Sequence, residues 1–194
     1  SCSSSLTNMP IVKPPGFNQT FRVEEPTWAN ACVGDNGSPQ ISEYAAGFAQ
    51  AAQVLLRAVI ADEGMELHVD ALIYPICFNM RHALELHLKS TVESLRRLAK
   101  MRKRKLPELD MAGTHDLDKI WAYVEGNGAS LDLRYQTHLE GLDVYVRDIA
   151  AVDATGQVFR YPFDTERRKH LVEVSVINLL VLQKRFEELR SEER

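Results

Sequence analysis

The sequence predicts an all-α protein: a bundle of about five helices, an irregular proline-rich N-terminal arm, and a short extended excursion before the last helix. Three observations lead there. Apolar residues recur at steps of three and four through most of the chain after residue 40. Five of the eight prolines (Pro10, Pro14, Pro15, Pro26 and Pro39) fall before that point. Only the stretch Gln157-Val158-Phe159-Arg160-Tyr161-Pro162, after the turn residues Ala154-Thr155-Gly156, reads as extended.

Two regions are expected, residues 1–40 and 41–194. Proline removes a backbone donor and restricts its predecessor, so the first is irregular. Its Ile11, Val12, Phe17, Phe21, Val23 and Trp28 suggest an arm laid on the domain or on a partner subunit. In the second region, Tyr44, Phe48, Ala51, Leu55 and Val59 mark a first helix, capped by Ser42 and ending near Gly64. A longer helix runs from about Asp70 past Leu98, with Pro75 near enough to its start to be tolerated. Thr114 or Asp116 caps a third helix bearing Leu117, Ile120, Trp121 and Val124, which Gly126 and Gly128 stop. Tyr135, Leu139, Leu142, Val146 and Ile149 mark a fourth. The last helix is expected from about Thr165 to Glu193. Its apolar middle, Leu171 to Leu182, reads as the buried centre of the bundle, with Asn178 as a buried polar group setting register.

Composition bounds the function classes. The chain has 194 residues, 45% hydrophobic and 26% charged, with a formal net charge of -4. That is globular composition, and the average surface is not drawn to nucleic acid. Three cysteines at no metal-like spacing suggest reduced thiols and a cytoplasmic protein. The most apolar stretch, Val174 to Leu182, is too short to span a bilayer, so no membrane partner is expected. No zinc pattern, phosphate-binding glycine loop or nucleophile elbow occurs, and neither metal nor cofactor is expected.

Chemistry-bearing residues concentrate on the second helix, in Cys77-Phe78-Asn79-Met80-Arg81-His82-Ala83-Leu84-Glu85-Leu86-His87-Leu88-Lys89. At 100° per residue, Arg81, His82, Glu85 and Lys89 share one polar stripe. Arg81–Glu85 and Glu85–Lys89 are i,i+4 pairs, which a solvated helix face would also carry. Residues 96–105 form a second concentration, with seven basic residues in ten. They leave 16 basic against 27 acidic residues elsewhere. Such a run suits the C-terminal end of a helix and also suits an RNA backbone, with Arg102, Lys103, Arg104 and Lys105 as phosphate contacts.

The motif helix resembles that of the HEPN superfamily, all-α bundles whose signature is an arginine, four to six residues, then a histidine. Arg81, five intervening residues and His87 match it, with His82 as the polar neighbour of the arginine. Thr114-His115-Asp116-Leu117-Asp118-Lys119-Ile120-Trp121 and Phe159-Arg160-Tyr161-Pro162 resemble bacterial members, and the likeness covers roughly residues 42 to 190. It implies a metal-independent endoribonuclease in a toxin or phage-defence setting, working at a homodimer interface, with an antitoxin or effector protein as a further partner. The alternative is a non-catalytic dimeric module of the same fold that binds RNA, nucleotide or protein.

Histidine titrates near neutrality and arginine stays charged, so the catalytic candidates are Arg81 for phosphate charge, His87 for proton transfer, and His82 beside them. Glu85 and Lys89 join the basic run as substrate-binding candidates. On one helix Arg81 and His87 lie about 120° apart around the axis and about 9 Å along it, so they converge only in a groove between two copies. His115 is expected to face solvent beside a helix cap. Arg160 is expected to brace the fold through Asp153 or Asp164.

Overall fold

The computed structural model describes residues 19–193, and the regular structure among them is helical, with no strand. The chain divides into two compact units, Ser1–Pro39 and Gln40–Arg194. In the first, a single 3-10 turn spans Thr27–Ala29, and no described residue is buried. The arm residues Pro10, Ile11, Val12, Pro14, Pro15 and Phe17 lie outside the described residues.

The second unit comprises α1 (Ile41–Asp62), α2 (Val69–Met101), α3 (Leu117–Leu131), α4 (Arg134–Asp153) and α5 (Leu179–Glu192). Gln40, rather than Ser42, caps α1, and its backbone N–H donates to the Glu43 carboxylate at 2.6 Å in a reciprocal capping box. The helix ends where Glu63 and Gly64 turn left-handed. At 22 residues α1, unlike the short Val174–Leu182 run, is long and apolar enough to cross a bilayer by length and composition. Its Ala45, Ala49, Ala52, Leu56 and Val59 are buried, and it packs along α2.

α2 is the centre of the bundle and touches α1, α3 and α4. Ile76, Leu84, Leu88, Val92 and Leu95 are fully buried. They pack in one core with Leu117, Ile120 and Trp121 of α3, Leu142 and Val146 of α4, and Phe186 and Leu189 of α5. Pro75 stands in the second turn of this helix without ending it. α3 opens at Asp116, whose carboxylate accepts from the Lys119 N–H at 3.2 Å. It continues through Gly126 and Gly128 to Leu131, so neither glycine is its stop. A β-carbon at Gly128 would come within 3.2 Å of Leu139, so this glycine lets α3 and α4 approach closely.

The largest departure from expectation is the last helix. It begins at Leu179, not near Thr165, and α2 rather than this helix is the buried centre. Residues 157–178 form an irregular strap, held by a turn in which the Asp164 carboxylate accepts from the Glu166 and Arg168 N–H groups. Val172, Val174, Val176 and Ile177 are β-branched and lose rotamer freedom in a helix. Asn178 then supplies the helix start, its side chain accepting from the N–H groups of Leu180 and Val181 at 3.0 and 3.1 Å. It is thus an exposed cap rather than a buried register group. Val172, Val176, Leu180 and Val181, expected inside, are 74%, 85%, 62% and 60% exposed.

Candidate functional site

The polar stripe of α2 turns inward. Arg81, Glu85 and Lys89 are all buried, at 2%, 1% and 4% exposure. Burying charges requires partners, and each has them. Arg81 pairs with Glu85 one turn on, and Lys89 Nζ reaches the same carboxylate at 2.8 Å. The rest of the Arg81 fork is occupied by main chain. Its Nε donates to the Asp153 carbonyl at 3.1 Å, and Nη2 donates to the Ala154 carbonyl at 2.7 Å and to the His115 carbonyl. Arg81 therefore ties the middle of α2 to the end of α4 and to the residues entering α3.

The same junction is closed by the Leu117 N–H donating to the Ala154 carbonyl at 2.9 Å. Asp153, itself buried, accepts from the N–H groups of Gln157 and Val158 and ends α4. Gly156 follows at φ +78, and a β-carbon there would sit 3.0 Å from the Arg81 guanidinium. Glycine is required at that turn on both grounds.

Glu85 is the hub. His115 Nδ1 lies 2.9 Å from Glu85 Oε1, and His82 Nδ1 lies 3.9 Å from Oε2. Burial works to raise the Glu85 pKa. The contacts with His82, Lys89 and His115 and the charge of Arg81 overcome it and hold the carboxyl below the usual range. An ionised Glu85 only accepts hydrogen bonds, so the His115 Nδ1 carries a proton and points it at the carboxylate.

The imidazoles form the accessible part of this cluster. The His115 side chain is 59% exposed and that of His82 is 26% exposed. His82 stacks on Phe78 at 5.6 Å and meets Phe48 edge-on at 4.4 Å. The exposed Arg160 guanidinium lies 5.7 Å from the Phe78 ring centre and 5.2 Å from that of Tyr161. Neither Asp153 nor Asp164 holds it: the first caps the strap and the second binds Arg168 at 2.7 Å.

His87 does not join this cluster. It lies toward α4 and α5, where His138 and Arg190 bear on it. Its buried Nε2 has no hydrogen-bond partner. Burial first, then the charges of His138 and Arg190, push its pKa down to about 4, so it is neutral at neutral pH.

The basic run begins about 17 Å along α2 from Glu85. Part of it is committed to the fold. Arg96 donates to the Leu109 carbonyl at 2.7 Å, Arg102 pairs with Asp132 at 3.1 Å, and Arg104 donates to the Ser130 carbonyl at 2.5 Å. Lys100, Lys103 and Lys105 are exposed. Among the described residues no group of three or more His, Cys, Asp or Glu side chains is placed to hold a metal ion.

The structure thus unites Arg81, His82, Glu85 and Lys89 from the expected set and adds His115. It leaves His87 on another side of α2 and the basic run at its far end. The Thr-His-Asp signal marked His115 in the sequence, but the three carbonyls that receive Arg81 carry no side-chain signature. Compared with known proteins, the chain matches no family model, no curated protein and no solved structure.

Proposed function

We propose that the protein is a metal-independent endoribonuclease of HEPN type whose proton-transfer groups are His115 and His82. One observation carries this reading: the exposed His115 imidazole is anchored through Nδ1 to a buried ionised carboxylate, 2.9 Å away. Such an anchor fixes the tautomer and orientation of a general base and stabilises the imidazolium formed when it takes a proton. His82, beside the same carboxylate, supplies the second imidazole.

In this reaction one imidazole removes the proton of the 2′-hydroxyl. The 2′-oxygen attacks phosphorus, the bond to the 5′-oxygen breaks, and the other imidazole, entering protonated, protonates that leaving group. A 2′,3′-cyclic phosphate and a 5′-hydroxyl result. Arg160, exposed over the Phe78 and Tyr161 rings and donating to the Tyr161 hydroxyl at 3.3 Å, is the guanidinium that meets phosphate oxygens in this reading. Arg81 and Lys89 act through Glu85 as positioning residues, with no contact to RNA. The site as described is built by one chain, and in the homodimer of this reading a second copy faces it.

The test is single-stranded RNA in excess chelator with wild type, His115→Ala, His82→Ala and Arg160→Ala. Cleavage is expected to fall about 100-fold or more in the histidine variants, with a 2′-deoxy substrate left intact. Cleavage that survives His115→Ala, or that consumes the 2′-deoxy substrate, defeats the proposal.

A second reading has its own support. The commitment of Arg81 to main-chain carbonyls and the enclosure of His87 favour a non-catalytic module of the same fold that binds RNA. Salt-sensitive RNA binding without cleavage would select it.

A further inference from the structure

A cavity of about 440 Å³ lies between α2, α4, α5 and the strap, and its walls are almost wholly apolar. Met80, Val152, Phe159, Ile177, Leu182 and Phe186 contribute to them. Cys77 on the same wall has its thiol pushed up to about 12 by burial, which reports how dry the surroundings are. The volume lies within the range of small-molecule sites. Water would find few hydrogen-bond partners there. Val176 and Val181 line the cavity while standing 85% and 60% exposed, so an apolar path leads in from solvent.

The charges around the cavity are already matched. Arg81 is held by Glu85 and three carbonyls. Arg185 lies 4.2 Å from the Tyr145 ring centre and pairs with Asp148 at 2.8 Å and with Glu188 at 3.3 Å. Lys184 adds a second cation 4.0 Å from Glu188, so two carboxylates face two cations and no unpaired charge is left to hold an anionic headgroup. We infer that this cavity binds an uncharged, largely hydrocarbon small molecule, with the strap as its cover.

The inference stands apart from the nuclease reading, since no proton-transfer group lines the cavity. The full chain is titrated with the neutral fluorophore N-phenyl-1-naphthylamine, with 1-decanol and decanoate as competitors. One saturable site per chain is expected, emptied by decanol at concentrations at least tenfold lower than decanoate. Ile149→Trp, which fills the cavity, is expected to weaken the probe at least tenfold with circular dichroism unchanged. Should that variant misfold, Leu182→Phe is read instead. In wild type, decanol is also expected to slow thiol labelling, resolved at Cys77 by mass spectrometry. Probe binding indifferent to the filling variant, decanoate competing as well as decanol, or loss of the site through self-association at higher protein concentration would each overturn the proposal. The last would assign the face to a second copy.

Discussion

Glu85 shows how a single residue organises this molecule. One carboxylate answers two buried cations and two imidazoles, so removing its charge strands Arg81 and Lys89. Glu85→Gln is expected to destabilise the fold by about 3–5 kcal/mol, measured by urea unfolding. His87 gives a separate pH dependence. Its pKa is about 4 in the fold against about 6.5 when unfolded. The unfolded chain therefore binds the proton first as the solution is acidified. Stability from this residue is fully present above about pH 6.5 and is lost as pH falls to about 4, by up to about 3 kcal/mol. Glu85 adds its own loss below the ordinary carboxylate range. Melting at pH 7 and pH 4.5 should show a smaller drop in His87→Leu than in wild type. Spacing placed Arg81, His82, Glu85 and Lys89 on one stripe, which the structure keeps. That the stripe faces inward was not legible, because the partners neutralising it are main-chain carbonyls and a histidine from another segment.

At the scale of elements, four helices follow the periodicity read from the sequence. Their ends depart where local chemistry competes. α3 runs through two glycines because packing against Leu139 and Tyr135 rewards the missing side chain at Gly128. α5 begins fourteen residues after the expected Thr165 because the valines between lie on an irregular strap and Asn178 provides the cap. A continuous apolar run does not reveal whether it is helical or extended, and length alone favoured the wrong choice here. Asn178→Ala is expected to cost about 1 kcal/mol, with loss of helical signal confined to the start of α5. Amide exchange at Leu180 and Val181 checks this.

For the whole molecule, the all-α class was legible from periodicity, and the second unit bears it out. The charge distribution adds a length scale. A strand of RNA that reaches both the Glu85 cluster and the start of the basic run must extend about 17 Å along α2. If the run holds RNA, Lys103→Ala with Lys105→Ala should weaken binding uniformly across sequences. It should also reduce the slope of log affinity against log salt by about 1.4, read by fluorescence anisotropy.

The guanidinium of Arg81 joins three stretches of chain far apart in sequence, at residues 81, 115 and 153–154. Their backbone groups should therefore open to solvent as one cooperative unit. In deuterium the Leu117 and Gln157 amides should exchange at a shared rate, and Arg81→Lys should speed both together while sparing the far end of α2.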